Sequence, residues 1–244
     1  MQGLLGIGIA VQIAACAVVG IRLLLLSART REIPELALGS SFLLMGAIGY
    51  PLSIVARSGA GGPSLLALAL AAQNLSAICM YVSTWKSFRP RQRGVALIIG
   101  ATLLAFAMSL GIPFALGERE ALDAGPWYYV GFAGRFASYS WAAAEAVRYA
   151  AIQRRRLALG LADPVVADRF QLWSITSTSI SLGFVVFLAG RLFSENVGAS
   201  PFVLVPTSIV SVSAGVTMWL AFFPPRRYKR LIVERYLAQT IEET

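Results

Sequence analysis

Seven long apolar runs, each bounded by charged residues, proline or glycine, dominate the pattern of hydrophobic and polar positions along the chain. About 20 apolar residues are enough for a helix to cross the hydrocarbon core of a bilayer, so each run has the length of one membrane span. We therefore predict an all-α, polytopic membrane protein with a seven-transmembrane helix bundle. The predicted spans are residues 4–26, 36–56, 64–85, 94–116, 127–152, 170–191 and 201–223.

Positive charges between the runs fall on alternate loops, after the first, third, fifth and seventh spans. By the positive-inside rule, this alternation predicts an N-terminus outside the membrane and a cytoplasmic C-terminus. The opposite set of loops holds fewer basic residues, Arg57, Arg119 and Arg191, together with the acidic residues Glu118, Glu120, Asp123 and Glu195. The basic loops hold Arg29, Arg31, Lys86, Arg89, Arg91, Arg93, Arg154, Arg155, Arg156, Arg169, Arg226, Arg227, Lys229 and Arg230.

The chain divides into a helix bundle, residues 1–223, and a short tail, residues 224–244. Pro224-Pro225 is expected to end the seventh span, because proline cannot continue a helix without losing a hydrogen bond. Residues 226–241 alternate basic and apolar side chains at roughly helical spacing. This pattern predicts a cytoplasmic amphipathic helix on the inner membrane surface.

A weak internal repeat appears when the chain is shifted by 135 positions, which places the second span on the sixth and the third span on the seventh. The first and fifth spans match less well. Parallel repeats of this kind occur in membrane transporters. The shift therefore predicts a 3+1+3 arrangement, although equal spacing of the spans alone would give the same overlap.

Composition supports a membrane location and excludes several classes of function. Of the 244 residues, 57% are hydrophobic and 14% are charged, and the mean hydropathy is +0.69. So few polar groups cannot cover the surface of a soluble domain. The formal charge of +9 is spread over four predicted cytoplasmic loops, so anionic membrane lipids are the expected partners and nucleic acid is not.

The chain contains no histidine, which removes the commonest general base and the commonest zinc ligand. Both cysteines, Cys16 and Cys79, lie inside apolar runs, where a small buried hydrophobe is their ordinary role. We therefore predict no catalytic residue, no metal site and no cofactor. An intramembrane enzyme is the weakest of the functional hypotheses, since hydroxyls are abundant without an evident base.

Arg135 lies eight residues inside Trp127, which places it roughly 12 Å below the outer interface at 1.5 Å per helical residue. No carboxylate of a predicted span lies at that depth, whereas amide and hydroxyl side chains do, Ser109 among them. A guanidinium in such surroundings is suited to a carboxylate or phosphate. We predict an outward-facing pocket for a small amphipathic or anionic, lipid-like ligand, formed by Arg135, Gln73, Asn74, Gln12, Tyr50, Tyr139, Ser181, Thr207 and Ser208.

A purely structural role for Arg135 is the alternative. Its side chain could extend outward to Glu118, Glu120 or Asp123, or it could bond to backbone carbonyls. Glu145, in contrast, lies near the inner interface of the same helix. Arg148 follows three residues later, which predicts an interfacial ion pair on one helical face rather than a proton-relay carboxylate.

The fifth loop carries a resemblance to a known family. The segment Arg154-Arg155-Arg156-Leu157-Ala158-Leu159-Gly160-Leu161-Ala162-Asp163-Pro164-Val165-Val166 is similar to a loop motif of a bacterial family of seven-helix integral membrane proteins. The resemblance implies the bacterial inner membrane and brings no activity with it. Within the loop, Gly160 is expected to end one helix, and Asp163 with Pro164 is expected to begin the next.

The predicted topology also resembles that of rhodopsins and G-protein-coupled receptors. A retinal Schiff base requires a buried lysine. The only lysines are Lys86, at an inner helix end, and Lys229, in the tail. A covalent retinal chromophore is therefore excluded.

Two functional hypotheses remain. The first is a non-enzymatic, receptor-like sensor that binds a ligand at Arg135 and passes a change to a separate cytoplasmic protein at the basic inner loops. The second is a small-molecule carrier of 3+1+3 architecture, with its site nearer the midplane.

Overall fold

The computed structural model of this protein describes residues 2–59, 61–117, 121–193 and 201–242. Within these ranges the chain is helical and contains no strand, which confirms the predicted all-α class. The residues form two compact units. The first unit comprises Met1–Ala15 and Ala143–Thr244, and the second unit comprises Cys16–Ala142.

Ten α-helices and one π-helical segment lie within the described ranges. They are α1 (Gln2–Thr30), α2 (Ile33–Phe42), the π segment (Leu43–Gly49), α3 (Tyr50–Arg57), α4 (Gly62–Phe88), α5 (Val95–Ala115), α6 (Ala121–Ala124), α7 (Pro126–Ala158), α8 (Pro164–Phe193), α9 (Pro201–Phe222) and α10 (Arg226–Glu242).

Six helical stretches among the described residues are long and apolar enough to cross a membrane, and they match six of the seven predicted spans. The fifth predicted span, in α7, is not among them. Arg135, Glu145 and Arg148 lie in this 33-residue helix together with several tyrosines and serines, which lower its hydropathy. Crossing by α7 therefore stays a prediction. The six stretches are Gly6–Thr30, Ile33–Arg57, Gly62–Phe88, Val95–Ala115, Pro164–Phe193 and Val203–Phe222.

Close helix contact in the second unit depends on small residues. A Cβ at Gly39 would lie 2.9 Å from the carbonyl oxygen of Gly20, and a Cβ at Gly20 would lie 3.1 Å from that of Gly39. The backbones of α1 and α2 therefore approach each other where neither residue carries a side chain. Small residues permit this approach between membrane helices, where dispersion contacts provide the attraction.

The π segment is fixed to α4 at both of its ends. Before it, the hydroxyl of Ser41 lies 3.0 Å from that of Ser76, which also donates to the Ser41 carbonyl at 2.9 Å. After it, the Gln73 amide donates to the Gly49 carbonyl at 3.1 Å and to the Ser53 hydroxyl at 2.7 Å. Short π segments inside α-helices occur frequently at functional sites.

In the first unit, α8 and α9 pack along a row of hydroxyls. The Thr176 and Thr217 hydroxyls lie 2.7 Å apart, and those of Ser179 and Ser213 lie 3.3 Å apart. One threonine donates its single hydroxyl proton to the other, which in turn donates to a carbonyl of its own helix. The dense hydroxyls of the sixth predicted span therefore pack one helix against another.

The turn between α7 and α8 has the predicted local structure. Gly160 has a φ of +68°, a conformation that favours glycine, and Leu161 donates to the Arg156 carbonyl at 2.8 Å across it. The Asp163 carboxylate accepts from the backbone of Val165 at 2.7 Å and of Val166 at 3.1 Å. Both the helix end at Gly160 and the helix start at Asp163 are confirmed.

The predicted tail helix is present as α10, and Pro224-Pro225 separates it from α9 as expected. The Tyr228 hydroxyl donates to Asp168 on α8 at 2.9 Å, and the Tyr236 hydroxyl donates to the Leu157 carbonyl on α7 at 3.2 Å. Burial, together with the hydrogen bond to Asp168 and its negative charge, raises the pKa of Tyr228 to about 12. The phenol therefore keeps its proton at neutral pH.

Several residues of the predicted outer loops lie outside the described ranges. They are Glu118, Arg119, Glu120 and Glu195, and Glu243 and Thr244 at the end of the tail lie outside them as well. Of the same set of loops, Arg57 and Asp123 are described and form a salt bridge of 2.9 Å. The C-terminal end of α3 therefore lies beside α6 in the second unit.

Candidate functional site

Arg135 is buried in the second unit, with only 3% of its surface exposed. Its Nη1 donates to Oδ1 of Asn74 on α4 at 2.6 Å. The guanidinium carbon also lies 5.8 Å from the centre of the Tyr128 ring, two turns earlier on α7. The cation is thus held between the Asn74 amide oxygen and the Tyr128 side chain, with which it also forms a hydrogen bond.

Asn74 is buried to nearly the same degree, at 4% exposure. Because arginine only donates hydrogen bonds, the Asn74 oxygen must face Arg135 and the Nδ2 group must point elsewhere. Nδ2 has no hydrogen-bond partner among the described residues. A buried amide donor without a partner costs about 1–3 kcal/mol, so it is a strong candidate for binding a ligand.

A small cavity lies beside this pair. Its volume is about 10 Å³, which is the space that a single ordered water requires. Its polar wall comprises Asn74, Ser109, Tyr128 and Arg135, and its apolar wall comprises Leu70, Leu110, Leu122 and Trp127. All of these residues belong to the second unit.

Gly131 completes the cavity and lies one turn before Arg135. A Cβ at this position would lie 3.0 Å from the Ser109 hydroxyl oxygen and 3.3 Å from Nη1 of Arg135. Glycine therefore leaves room for the guanidinium at the point where α7 approaches α5. The Ser109 hydroxyl donates to the Phe106 carbonyl at 2.9 Å, so its proton is already used.

The charge at this site is not balanced by a carboxylate from the described part of the chain. Of the acids proposed as partners for Arg135, Asp123 is paired with Arg57 instead. Glu118 and Glu120 lie outside the described residues. Arg135 itself bonds to a neutral amide, so its positive charge stays uncompensated within the described protein.

Tyr139 lies one turn after Arg135 and joins a second polar cluster. Its hydroxyl lies 2.7 Å from that of Ser76 and 3.2 Å from that of Ser41, and all three side chains are buried. Asn74 on α4 thus bonds to Arg135 on α7, and Ser76 on α4 bonds to Tyr139 on α7. The polar side chains form a continuous seam between the two helices.

The other predicted site residues occupy different surroundings. Gln73 is directed to Gly49 and Ser53 rather than into the cavity, and Tyr50 is half-buried next to the π segment. Gln12, Ser181, Thr207 and Ser208 all belong to the first unit. Their participation in a common pocket stays a prediction.

Tyr128 and Gly131 line the cavity next to Arg135 and are among the cavity residues that the predicted site does not include. Tyr128 has the position of an interfacial aromatic residue, yet its seven-residue spacing from Arg135 places both on one face of α7. Gly131 lies midway between them, four residues before Arg135. Helical spacing around Arg135 could have identified both.

Glu145, the other buried charge of α7, has the predicted partner. Arg148 Nη1 lies 3.5 Å from Glu145 Oε2, and their side chains are 57% and 5% exposed, respectively. The i,i+3 ion pair is therefore confirmed.

No protein-family model, curated protein or solved structure matches this chain. The similarity of the Arg154–Val166 loop to a bacterial membrane-protein family therefore stays a prediction.

Proposed function

We propose that this chain is a non-enzymatic, multi-pass protein of the bacterial inner membrane that binds a small anionic or amphipathic ligand at Arg135, as a receptor or sensor does. In this proposal seven spans cross the membrane, with the N-terminus outside. The ligand reaches Arg135 from the outer side. The basic inner loops are the contact surface for membrane lipids and for a separate cytoplasmic partner.

The uncompensated charge of Arg135 is the observation that carries the proposal. A buried cation without an anion is costly, because apolar surroundings replace the water that would otherwise solvate it. In the described protein, Arg135 bonds to the Asn74 amide, whose own Nδ2 has no partner. An anionic group in the adjoining cavity would balance the cation and accept from the amide.

The position of the site favours a sensor. Arg135 and Asn74 lie on the same two helices as Tyr139 and Ser76, and that second pair bonds to Ser41 just before the π segment. A ligand that displaces the Asn74 side chain would therefore act on α4 at the place where it holds the π segment. Such a connection transmits binding without any chemical reaction.

Native mass spectrometry of the purified full-length protein tests the proposal. Wild type is compared with Arg135→Gln and with Arg191→Gln, an arginine in the last turn of α8 that controls for the loss of one charge. The proposal predicts a co-purified acidic ligand in wild type and in Arg191→Gln, and its loss in Arg135→Gln. Identical spectra for all three proteins would refute it.

A carrier is the second candidate, and the division of the chain into two compact units favours it together with the predicted repeat. A carrier must move its ligand across a sealed membrane. Reconstitution in liposomes separates the two functions, since a carrier gives Arg135-dependent uptake of the anion identified by mass spectrometry. A sensor binds the same anion without uptake.

A further inference from the structure

We infer that a basic face around α10 binds the headgroups of anionic phospholipids in the inner leaflet of the membrane. The inference rests on the proposed function, because it names the lipid class that binds at the basic inner loops and the residues that bind it. The α10 basic face consists of seven exposed arginines of the first unit: residues 154–156 of α7, Arg169 of α8, and Arg226, Arg227 and Arg230 of α10.

Helix α10 is held with one face against the protein, which leaves its arginines exposed. The Tyr228 hydroxyl donates to Asp168 at 2.9 Å, and the Tyr236 hydroxyl donates to the Leu157 carbonyl at 3.2 Å. Ile232 lies one turn from each tyrosine, and all three side chains are half-buried. The face that could enter a bilayer as an apolar surface is therefore in use, and the exposed side of α10 is basic.

The arginines of α7 and α8 flank the two points where α10 is attached. Arg156 precedes Leu157 in the chain, and Arg169 follows Asp168. Arg154 donates through Nε to Oε1 of Gln171 on α8 at 3.0 Å, which joins the end of α7 to the start of α8. The contacts of α10 thus gather cations from three helices at one end of the first unit.

No carboxylate in the described part of the chain forms a salt bridge with these seven arginines. The two nearest acids in sequence have other partners. Asp163 accepts from the backbone of Val165 and Val166, and Asp168 accepts from Tyr228. Seven positive charges around one short helix repel each other, so an anionic partner would stabilise the face.

Aromatic side chains place the face at the membrane interface, which favours a lipid over a soluble partner. Trp219 of α9 is 43% exposed and stacks on Phe223 with ring centres 4.8 Å apart, and Arg226 follows three residues later. On α8, Arg169 lies four residues before Trp173, roughly 6 Å along the helix axis. Because tryptophan is enriched at the level of the headgroups, the arginines lie beside them.

The chemistry of arginine selects the headgroup. A guanidinium pairs with two oxygens of a phosphate at once. Phosphatidylglycerol has a phosphate and no cation, whereas the choline of phosphatidylcholine carries a positive charge that the basic face would repel. Free inorganic phosphate lacks the acyl chains that contact exposed apolar side chains such as Trp219. The face should therefore prefer phosphatidylglycerol to both.

Native mass spectrometry of the full-length protein, released from nanodiscs that contain equal amounts of phosphatidylglycerol and phosphatidylcholine, measures this preference. Wild type is compared with the paired variant Arg226→Gln/Arg230→Gln. The matched control is Arg91→Gln/Arg93→Gln, which removes two exposed arginines from the basic loop between α4 and α5. Tyr228→Phe is the third variant, since it weakens the attachment of α10 and changes no charge. Thermal unfolding verifies that each variant is folded.

The inference predicts that wild type and the control pair retain phosphatidylglycerol in preference to phosphatidylcholine, and that excess inorganic phosphate does not displace it. Retention should fall by about tenfold in Arg226→Gln/Arg230→Gln, because each cation near an anionic surface contributes to the affinity. It should also fall in Tyr228→Phe. Equal retention by the two paired variants, wild-type retention by Tyr228→Phe, or displacement by inorganic phosphate would overturn the inference.

The outcomes separate this inference from the ligand site of the proposed function. If retention of phosphatidylglycerol does not depend on Arg226 and Arg230 while an acidic ligand still depends on Arg135, the inference fails and the ligand site stands. If the lipid depends on α10 and no ligand depends on Arg135, the ligand site fails and the inference stands.

Discussion

Arg135 and Glu145 are both buried charges of one helix, yet their surroundings differ. Glu145 has an arginine on its own helix at 3.5 Å, and that arginine reaches solvent or headgroups with 57% exposure. Arg135 has an amide at 2.6 Å and no described carboxylate. Burial alone therefore does not distinguish a candidate ligand-binding charge from a structural one, whereas burial without a described counter-charge makes Arg135 the candidate.

Depth counting along the helices predicted Arg135 and Asn74 as neighbours, but it also predicted Gln73. Adjacent residues of a helix point about 100° apart, so only one of two neighbours can face a given partner. Depth gives the distance along the helix axis and contains no information on direction. Only the packing of α4 shows that Asn74 faces Arg135 and that Gln73 faces the π segment.

Gly131→Ala should weaken ligand binding at Arg135. The new methyl group would lie 3.0 Å from the Ser109 hydroxyl and 3.3 Å from Arg135 Nη1, so the guanidinium must shift. We expect overpacking to cost about 1–3 kcal/mol, against a gain of up to about 1 kcal/mol in helix propensity. Thermal unfolding measures the change in stability, and the ligand signal in native mass spectrometry measures the change in binding.

Gly111→Ala is the matched control for this substitution, because a Cβ at Gly111 of α5 meets nothing within 4 Å. It should leave binding unchanged. Equal binding by Gly131→Ala and Gly111→Ala would show that the space beside Arg135 is not used by the ligand.

At the scale of single elements, local signals predicted helix ends well and missed the π segment. Asp163 and Gly160 interact with backbone groups a few residues away. A short stretch of sequence is therefore enough to predict the helix start and the helix end that they form. The π segment Leu43–Gly49 depends on bonds to α4 from both of its ends. A local sequence pattern contains no information on contacts between residues that are far apart in the chain, so it could not predict this segment.

Helix α10 should lose its attachment to α8 in Tyr228→Phe, which removes the hydrogen bond to Asp168. We expect faster trypsin cleavage at the arginines of α10 in this variant at neutral pH. Asp168→Asn keeps an acceptor oxygen and should protect the helix nearly as well as wild type does. Unchanged cleavage of Tyr228→Phe would show that the contact does not hold α10.

The same attachment has a defined pH range. The pKa of Tyr228 is about 12 in the folded protein, against 10.0 for an ordinary tyrosine. A raised pKa means that the folded state holds the proton more tightly, so the contribution to stability is complete below pH 10. It falls as the pH rises toward 12, and the phenolate absorbance of Tyr228, measured as the difference between wild type and Tyr228→Phe, should rise over that range.

At the scale of the whole molecule, composition and run length predicted an all-α membrane protein, and six stretches have the required length and hydropathy. The seventh, α7, differs because it carries the charges and tyrosines of the candidate site. Functional polar residues lower the hydropathy of the helix that holds them. The predicted span that carries the candidate site is therefore the one that hydropathy supports least.

Crossing of the membrane by α7 is tested with single cysteines at its two ends. Cys16 and Cys79 are first replaced by alanine, and cysteine is then placed at exposed Ala124 or at Leu159, which is 72% exposed. A crossing helix places the two positions on opposite sides, so an impermeant maleimide should label intact cells at position 124 only. Labelling of both positions, or of neither, would contradict seven spans.

The thermal stability of Asn74→Asp tests the central claim most directly. The claim is that Arg135 is a buried cation without an anionic partner among the described residues. An aspartate at the 2.6 Å contact would supply that anion, and we expect a gain of about 1–3 kcal/mol over wild type. Asn74→Leu removes the contact and should be less stable than wild type. Destabilisation of Asn74→Asp to the level of Asn74→Leu would contradict the claim.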